Sequence, residues 1–191
     1  KEFHALKPLV TISFINGTTQ KTLDFIKGKK ADIGFVNLPI FDLDVTLVGQ
    51  IGSLNDVFVA SDKYSELKGK EIEFSSLSNY PLIMLEQKTS TRQEFINFTR
   101  SLNVELTPEF ELASWKLCVE MAKGGLGIAC VPREYIKDEL EKGQLFELNV
   151  TPKIPTRSIG VILNSEREVA GELAEFLKMK RTCFFSADLL L

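Results

Sequence analysis

Apolar and polar positions alternate along this chain in a recurring order: a short apolar run, a polar loop, then apolar residues at helical spacing. The order is clearest from Pro81 to Pro132. Pro81-Leu82-Ile83-Met84-Leu85 is the first apolar run, and Glu86-Gln87-Lys88-Thr89-Ser90-Thr91-Arg92 the loop. Phe95, Ile96, Phe98 and Leu102 then line one helix face. A second cycle follows, with Pro108-Glu109-Phe110-Glu111-Leu112 as the strand and Ala113-Ser114-Trp115-Lys116 opening a helix that carries Leu117, Val119, Met121 and Ala122. Ile128-Ala129-Cys130-Val131-Pro132 is the next strand. This rhythm predicts a parallel sheet flanked by helices. In both cycles a Ser or Thr stands where the helix begins. Such residues cap helices, and their hydroxyls and nearby N–H groups also suit an anion.

The flanking blocks read more simply. Residues 1–8 are the end of a helix stopped by Pro8, and Leu9 to Ile15 alternates apolar and polar as a strand does. A turn at Asn16-Gly17-Thr18-Thr19-Gln20 leads into a helix with Leu23, Phe25 and Ile26 on its apolar face, ended by Gly28. Lys27, Lys29 and Lys30 read as its solvated end. Strands are expected at 31–36, 45–51, 56–60, 145–148 and 158–163, and helices at 133–141 and 165–180. Gly124-Gly125-Leu126-Gly127 follows a helix and precedes a strand, so it reads as a helix stop, not a phosphate loop. The tail carries Cys183, Phe184, Phe185 and three terminal leucines, and is expected to pack against a partner or the first lobe.

Two polar connections, near 61–70 and 149–155, divide the chain into three blocks. The middle block is a complete α/β unit, and the outer two each lack partners. The expected division is residues 1–61 with 156–191 as lobe I, and 62–155 as lobe II. Ligands of open α/β sheets sit at the carboxyl ends of strands. The hydroxyl-bearing residues there are Thr18, Thr19, Thr89, Ser90, Thr91 and Ser114. For Thr18 and Thr19 capping and ligand binding stay open together. The triplet at 89–91 holds more hydroxyls than a cap needs, and Ser114 reads as a cap. Arg92 pairs either with a carboxylate ligand or with Glu94 or Glu86, surface pairing being the commoner outcome.

Composition narrows the class. The 191 residues suffice for one large or two small cores, and 44% hydrophobic with 26% charged content is that of an ordinary globular protein. A net charge of −3 gives no sign of a nucleic-acid-binding module. No apolar run reaches the roughly 18–20 residues of a membrane span. Cys118, Cys130 and Cys183 are odd in number and widely spaced, which suits reduced thiols in the cytoplasm. With His4 the only histidine, neither a zinc site nor a Ser-His-Asp triad is expected, and no cofactor is implied.

Gly17-Thr18-Thr19-Gln20, Ala31-Asp32-Ile33-Gly34-Phe35, Pro81-Leu82-Ile83 with Ser90-Thr91-Arg92, Pro108-Glu109-Phe110-Glu111-Leu112, then Val119, Gly124, Gly127-Ile128 and Val131-Pro132 follow one another in a particular order. That order resembles the effector-binding domain of LysR-type transcriptional regulators over roughly residues 3–177. The resemblance implies an α/β, two-lobed fold like type 2 periplasmic binding proteins, each lobe a mostly parallel sheet flanked by helices, with two crossover connections. It implies a small-molecule co-inducer in the interlobe cleft, and a homodimer or homotetramer in which 9–15 and the helix at 18–27 contribute. The family's winged helix-turn-helix is not in this sequence, so operator DNA is expected to be reached only through that domain. The family's first strand and its ligand-contacting loop are also expected to be missing from lobe I. Some redox-sensing relatives carry a reactive cysteine where Ser90 stands, so peroxide sensing there is not expected.

Two other functions share this scaffold. One is the solute-binding protein of a transporter, against which the cysteines argue. The other is an enzyme such as a dehydratase of aromatic amino-acid synthesis. Such enzymes use Thr-Arg-Phe, but here Thr91-Arg92 precedes Gln93, and no acid/base pair converges. The chain is read as a non-enzyme that binds a small anion.

Overall fold

The computed structural model describes residues 2–183, with side chains through Met179. The expected packing of the tail at 184–191 lies outside the described residues. The chain forms two compact units, one of residues up to Ser53 and from Ser158 on, the other Leu54–Arg157.

In the first unit a three-stranded sheet has the order β1 (Gly34–Leu38), β10 (Arg157–Asn164), β2 (Val45–Leu54). β1 runs antiparallel to β10, with Gly34 opposite Ile162 and Leu38 opposite Ser158. The expectation of a mostly parallel sheet is corrected here, because the returning strand β10 enters against β1. α2 (Thr19–Lys27) buries Leu23 and Ile26, three residues apart on one face, against Val36, Val45 and Ile162. α1 (Glu2–Leu6) meets α6 (Gly171–Cys183) through an edge-to-face contact of Phe3 and Phe176 at 5.1 Å. α6 starts later than its apolar spacing predicts, after turn and coil at 165–170.

Leu9 to Ile15 is not a strand. Its alternation is real, but a strand exists only through its partner's hydrogen bonds. Leu9 and Phe14 are 98% and 81% exposed. Of the three lysines, Lys27 differs from a merely solvated end, bonding Asp42 at 2.8 Å, while Lys29 pairs with Glu166 at 3.0 Å in the open.

The second unit holds a five-stranded sheet in the order β6 (Phe110–Leu112), β5 (Leu82–Leu85), β7 (Ile128–Pro132), β3 (Asp56–Ala60), β8 (Phe146–Glu147). β6, β5 and β7 are parallel, whereas β3 is antiparallel to β7 and β8 to β3. The sheet is covered on both faces, which is why its strands read as continuous apolar runs. Phe58, Leu82, Met84 and Ile128 join Phe74 and Phe95 in one core cluster, with Cys130 packed against it. Val59, Ile83, Ala129 and Val131 join Cys118, Val119 and Ala122 in the other. Neighbours in sequence thus face opposite layers, as strand pleating requires.

α3 (Ser90–Ser101) contributes Phe95 to the first cluster, and α4 (Trp115–Lys123) contributes Cys118, Val119 and Ala122 to the second. Residues 61–70, expected as a connection, contain a 3-10 helix at Asp62–Leu67 that buries Tyr64 and Leu67. Residues 149–155 contain β9 (Asn149–Thr151), which pairs parallel with β4 (Glu71–Glu73). The helix expected at 133–141 is broken into a 3-10 turn, Arg133–Tyr135, and α5 (Lys137–Glu141).

Candidate functional site

Because β5, β6 and β7 are parallel, their carboxyl ends, Leu85, Leu112 and Pro132, lie along one edge of the second unit's sheet. Each end feeds a helical element: α3 after a four-residue loop, α4 after Ala113 and Ser114, and the 3-10 turn at Arg133. The Glu86 N–H donates to the Leu112 carbonyl at 3.0 Å, which ties the first two exits together. β3, running the other way, begins at this edge with Asp56 opposite Pro132.

Thr89 caps α3. Its hydroxyl accepts from the Arg92 N–H at 3.2 Å and donates to the Glu86 carbonyl at 3.0 Å. Ser90 and Thr91 are the first two residues of the helix and are half-buried. Ser114 stands at the N-cap of α4, but its side chain makes no cap bond, and the residue is exposed. The expectation that Ser114 is a cap is therefore corrected. The Ser114 carbonyl accepts from the Cys118 N–H at 3.2 Å, so its backbone holds the turn unaided by the hydroxyl. Beside it Trp115 stacks on Tyr135 with centroids 4.8 Å apart.

The charged groups at this edge are more buried than the sequence suggests. Asp56 and Arg157 form a bidentate pair, Nε to Oδ2 at 2.5 Å and Nη2 to Oδ1 at 2.8 Å, with both side chains 6% exposed. Burial opposes the Arg157 charge, but the hydrogen bond and charge of Asp56, with Glu94 adding, hold its pKa above the usual value. Glu94, in the first turns of α3, has its carboxyl raised above the ordinary range by burial and by Asp56, against the pull of Arg157. Burial likewise raises the Tyr135 hydroxyl.

Arg92 departs from the expected surface pairing. It is 4% exposed, its guanidinium carbon lies 5.3 Å from the Phe95 ring centre, and its Nη2 is 3.9 Å from Glu111. Its Nε and Nη1 are buried without a hydrogen-bond partner. Burial lowers its pKa, with Glu111 acting the other way. An arginine at N3 of a helix gives no warning of this, because Glu111, on β6, meets it only in the folded unit. Asp56 and Arg157, 101 positions apart, leave no local signal either.

In the first unit Thr18 caps α2, its side chain accepting from the Lys21 N–H at 3.4 Å. The Thr19 hydroxyl accepts from the Asn37 N–H at 3.3 Å, joining the helix start to β1. The hydroxyls of Thr18, Thr19 and Thr89 thus each have structural work within their own unit.

The family model described as the LysR substrate binding domain matches residues 1–182. The chain is 28% identical over 149 residues to the HTH-type transcriptional activator CmpR of Synechocystis, covering 78% of this chain and 49% of that protein. It is 24% identical over 174 residues to the uncharacterized HTH-type transcriptional regulator YeiE of Escherichia coli, with 89% and 57% covered. The chain therefore spans about half the length of these relatives. Among solved structures, the regulatory domain of Synechocystis CcmR in complex with 2-PG superposes with a TM-score of 0.83 at 18% identity, covering 94% of this chain and 86% of that one. The effector-binding domain of QuiR in complex with shikimate gives 0.79 at 15% identity, with 94% and 85% covered. These structures share the type 2 periplasmic-binding-protein-like fold. Ordered motifs, sheet topology and the family match over residues 1–182 agree: the chain belongs to the LysR family of transcriptional regulators, as its substrate-binding, or effector-binding, domain.

Proposed function

We propose that this domain senses a small anionic co-inducer at the carboxyl edge of the second unit's parallel strands. The observation that carries the reading is the convergence of the α3 and α4 N-termini on that edge, with Ser90, Thr91 and Ser114 at the helix starts. Each helix start presents backbone N–H groups and about half a positive charge, and hydroxyls add neutral donors. Two structural neighbours are complexes with 2-PG and with shikimate, which supports a small polar ligand. Thr18 and Thr19 form a second hydroxyl pair, in the first unit.

Binding energy that differs between two arrangements of the domain biases one over the other, which is what a regulator needs. In this reading the signal passes through rearrangement of a homodimer or homotetramer to a helix-turn-helix on operator DNA in the cytoplasm. The relatives are transcriptional regulators, not enzymes, and catalysis is no part of the proposal.

Calorimetric titration with a panel of small carboxylates, phosphate and sulfate tests the site. Each lost hydrogen bond to a charged ligand costs about 1.5–3 kcal/mol, so Ser90→Ala should weaken binding roughly ten- to hundredfold. Thr18→Ala, in the first unit, is the comparison variant. Unchanged affinity in Ser90→Ala refutes the site.

A further inference from the structure

We infer that Arg92 sets the charge selectivity of this edge, so that the ligand taken at the first turn of α3 carries an anionic group, phosphate-, sulfate- or carboxylate-like, in preference to an uncharged group of the same shape. The inference rests on the reading above that this turn is the ligand site. A guanidinium that is 4% exposed, with Nε and Nη1 unpartnered, is an unusually costly thing to bury. The carboxylate that faces it, Glu111, stands 3.9 Å from Nη2 on the edge strand β6, with its own side chain 37% exposed. Phe95 offers Arg92 only a ring face.

The neighbouring charges leave this one standing. Arg157 is matched by Asp56 in a bidentate pair, so that couple is neutral. Glu86 and Lys88 in the loop before α3 are exposed, opposite in sign and screened by water. Glu94 interacts with the Asp56–Arg157 pair. Arg92 occupies the third position of α3, so its incompletely matched charge adds to the positive end of the helix. Arg92 acts here as a positioning residue, through its field on the ligand.

The experiment is calorimetric titration of the full chain at constant ionic strength with inorganic sulfate, and with dimethyl sulfone as its uncharged counterpart. The parent should bind sulfate and not the sulfone. Arg92→Met should lose on the order of tenfold in sulfate affinity, the scale of one unit charge acting through the protein at an effective dielectric near 20. Arg92→Lys should retain most of it. Glu111→Gln, which removes the opposing carboxylate, should bind sulfate more tightly than the parent, a gain that a purely structural role for Arg92 would not produce. If Arg92→Met does not fold, the gain in Glu111→Gln and the retention in Arg92→Lys decide the matter. Sulfate binding that Ser90→Ala weakens but Arg92→Met and Glu111→Gln leave unchanged overturns the inference and leaves the site reading intact. A parent that binds neither probe overturns both.

Discussion

The Asp56–Arg157 pair offers the sharpest test of how this domain is held together. The chain passes between its two units at Ser53–Leu54 and at Arg157–Ser158, and the pair joins residues beside both passages. Asn55 adds to it, accepting from the Thr156 hydroxyl at 2.7 Å and donating from its side chain to Glu134 at 2.7 Å. Asp56→Ala leaves a guanidinium buried to 6% exposure without the carboxylate that matches its charge. Removing one partner of such a buried pair costs about 3–5 kcal/mol, because the other charge stays desolvated. For a chain of this size that is a fall of about 6–20 °C in Tm. Arg157→Met should cost a similar amount, and the double variant less than the sum, with a coupling of about 2–3 kcal/mol. Guanidinium unfolding followed by tryptophan fluorescence is the assay. The single tryptophan, Trp115, lies in the same unit as the pair and reports its unfolding. A loss below about 1 kcal/mol, or a coupling near zero, would refute the reasoning.

Four other outcomes can be measured directly. Thr89→Ala should cost about 0.5–2 kcal/mol because Thr89 caps α3, whereas Ser114→Ala should cost almost nothing in denaturant, since that hydroxyl makes no cap bond. Gly127→Ala should lower stability by about 1–3 kcal/mol, because an added Cβ would fall 2.5 Å from the Pro81 carbonyl oxygen that accepts from the Ile128 N–H. Burial pushes the Cys118 thiol from 9.0 up to about 11, so the unfolded chain ionises first as pH rises and stability should drain away between pH 9 and 11; Cys118→Ala should flatten that alkaline arm of the urea midpoint against pH. Phe14, 81% exposed within an apolar stretch, should contribute to self-association, so Phe14→Asp should lower the mass seen by light scattering at high concentration, and an unaltered mass would remove that stretch from the interface.

Much of the second unit was legible in the residues. Apolar runs bounded by proline located β5 and β7, and β3 was read to the residue, because strands covered on both faces announce themselves without a partner's help. Thr18 and Thr89 were readable as helix starts since a cap is a local arrangement, complete within four residues. The same locality explains the failures. Leu9 to Ile15 has the alternation of a strand, yet alternation supplies no hydrogen-bonding neighbour. Ser114 has the right residue type for a cap and the wrong geometry. Residues 61–70 look polar, and only the packing of Tyr64 and Leu67 into the core gives them a helix.

The sequence by itself determined the family, the alternating elements and the hydroxyl-bearing helix starts, all of which depend on neighbours a few residues apart. Tertiary structure alone decided which strands run antiparallel, and it alone brought Asp56 to Arg157 and Arg92 to Glu111. The reason is physical: a side chain's type sets what it can bond or bury, but the cost of its charge depends on how much water the rest of the chain removes, and that is settled only when distant segments close over it.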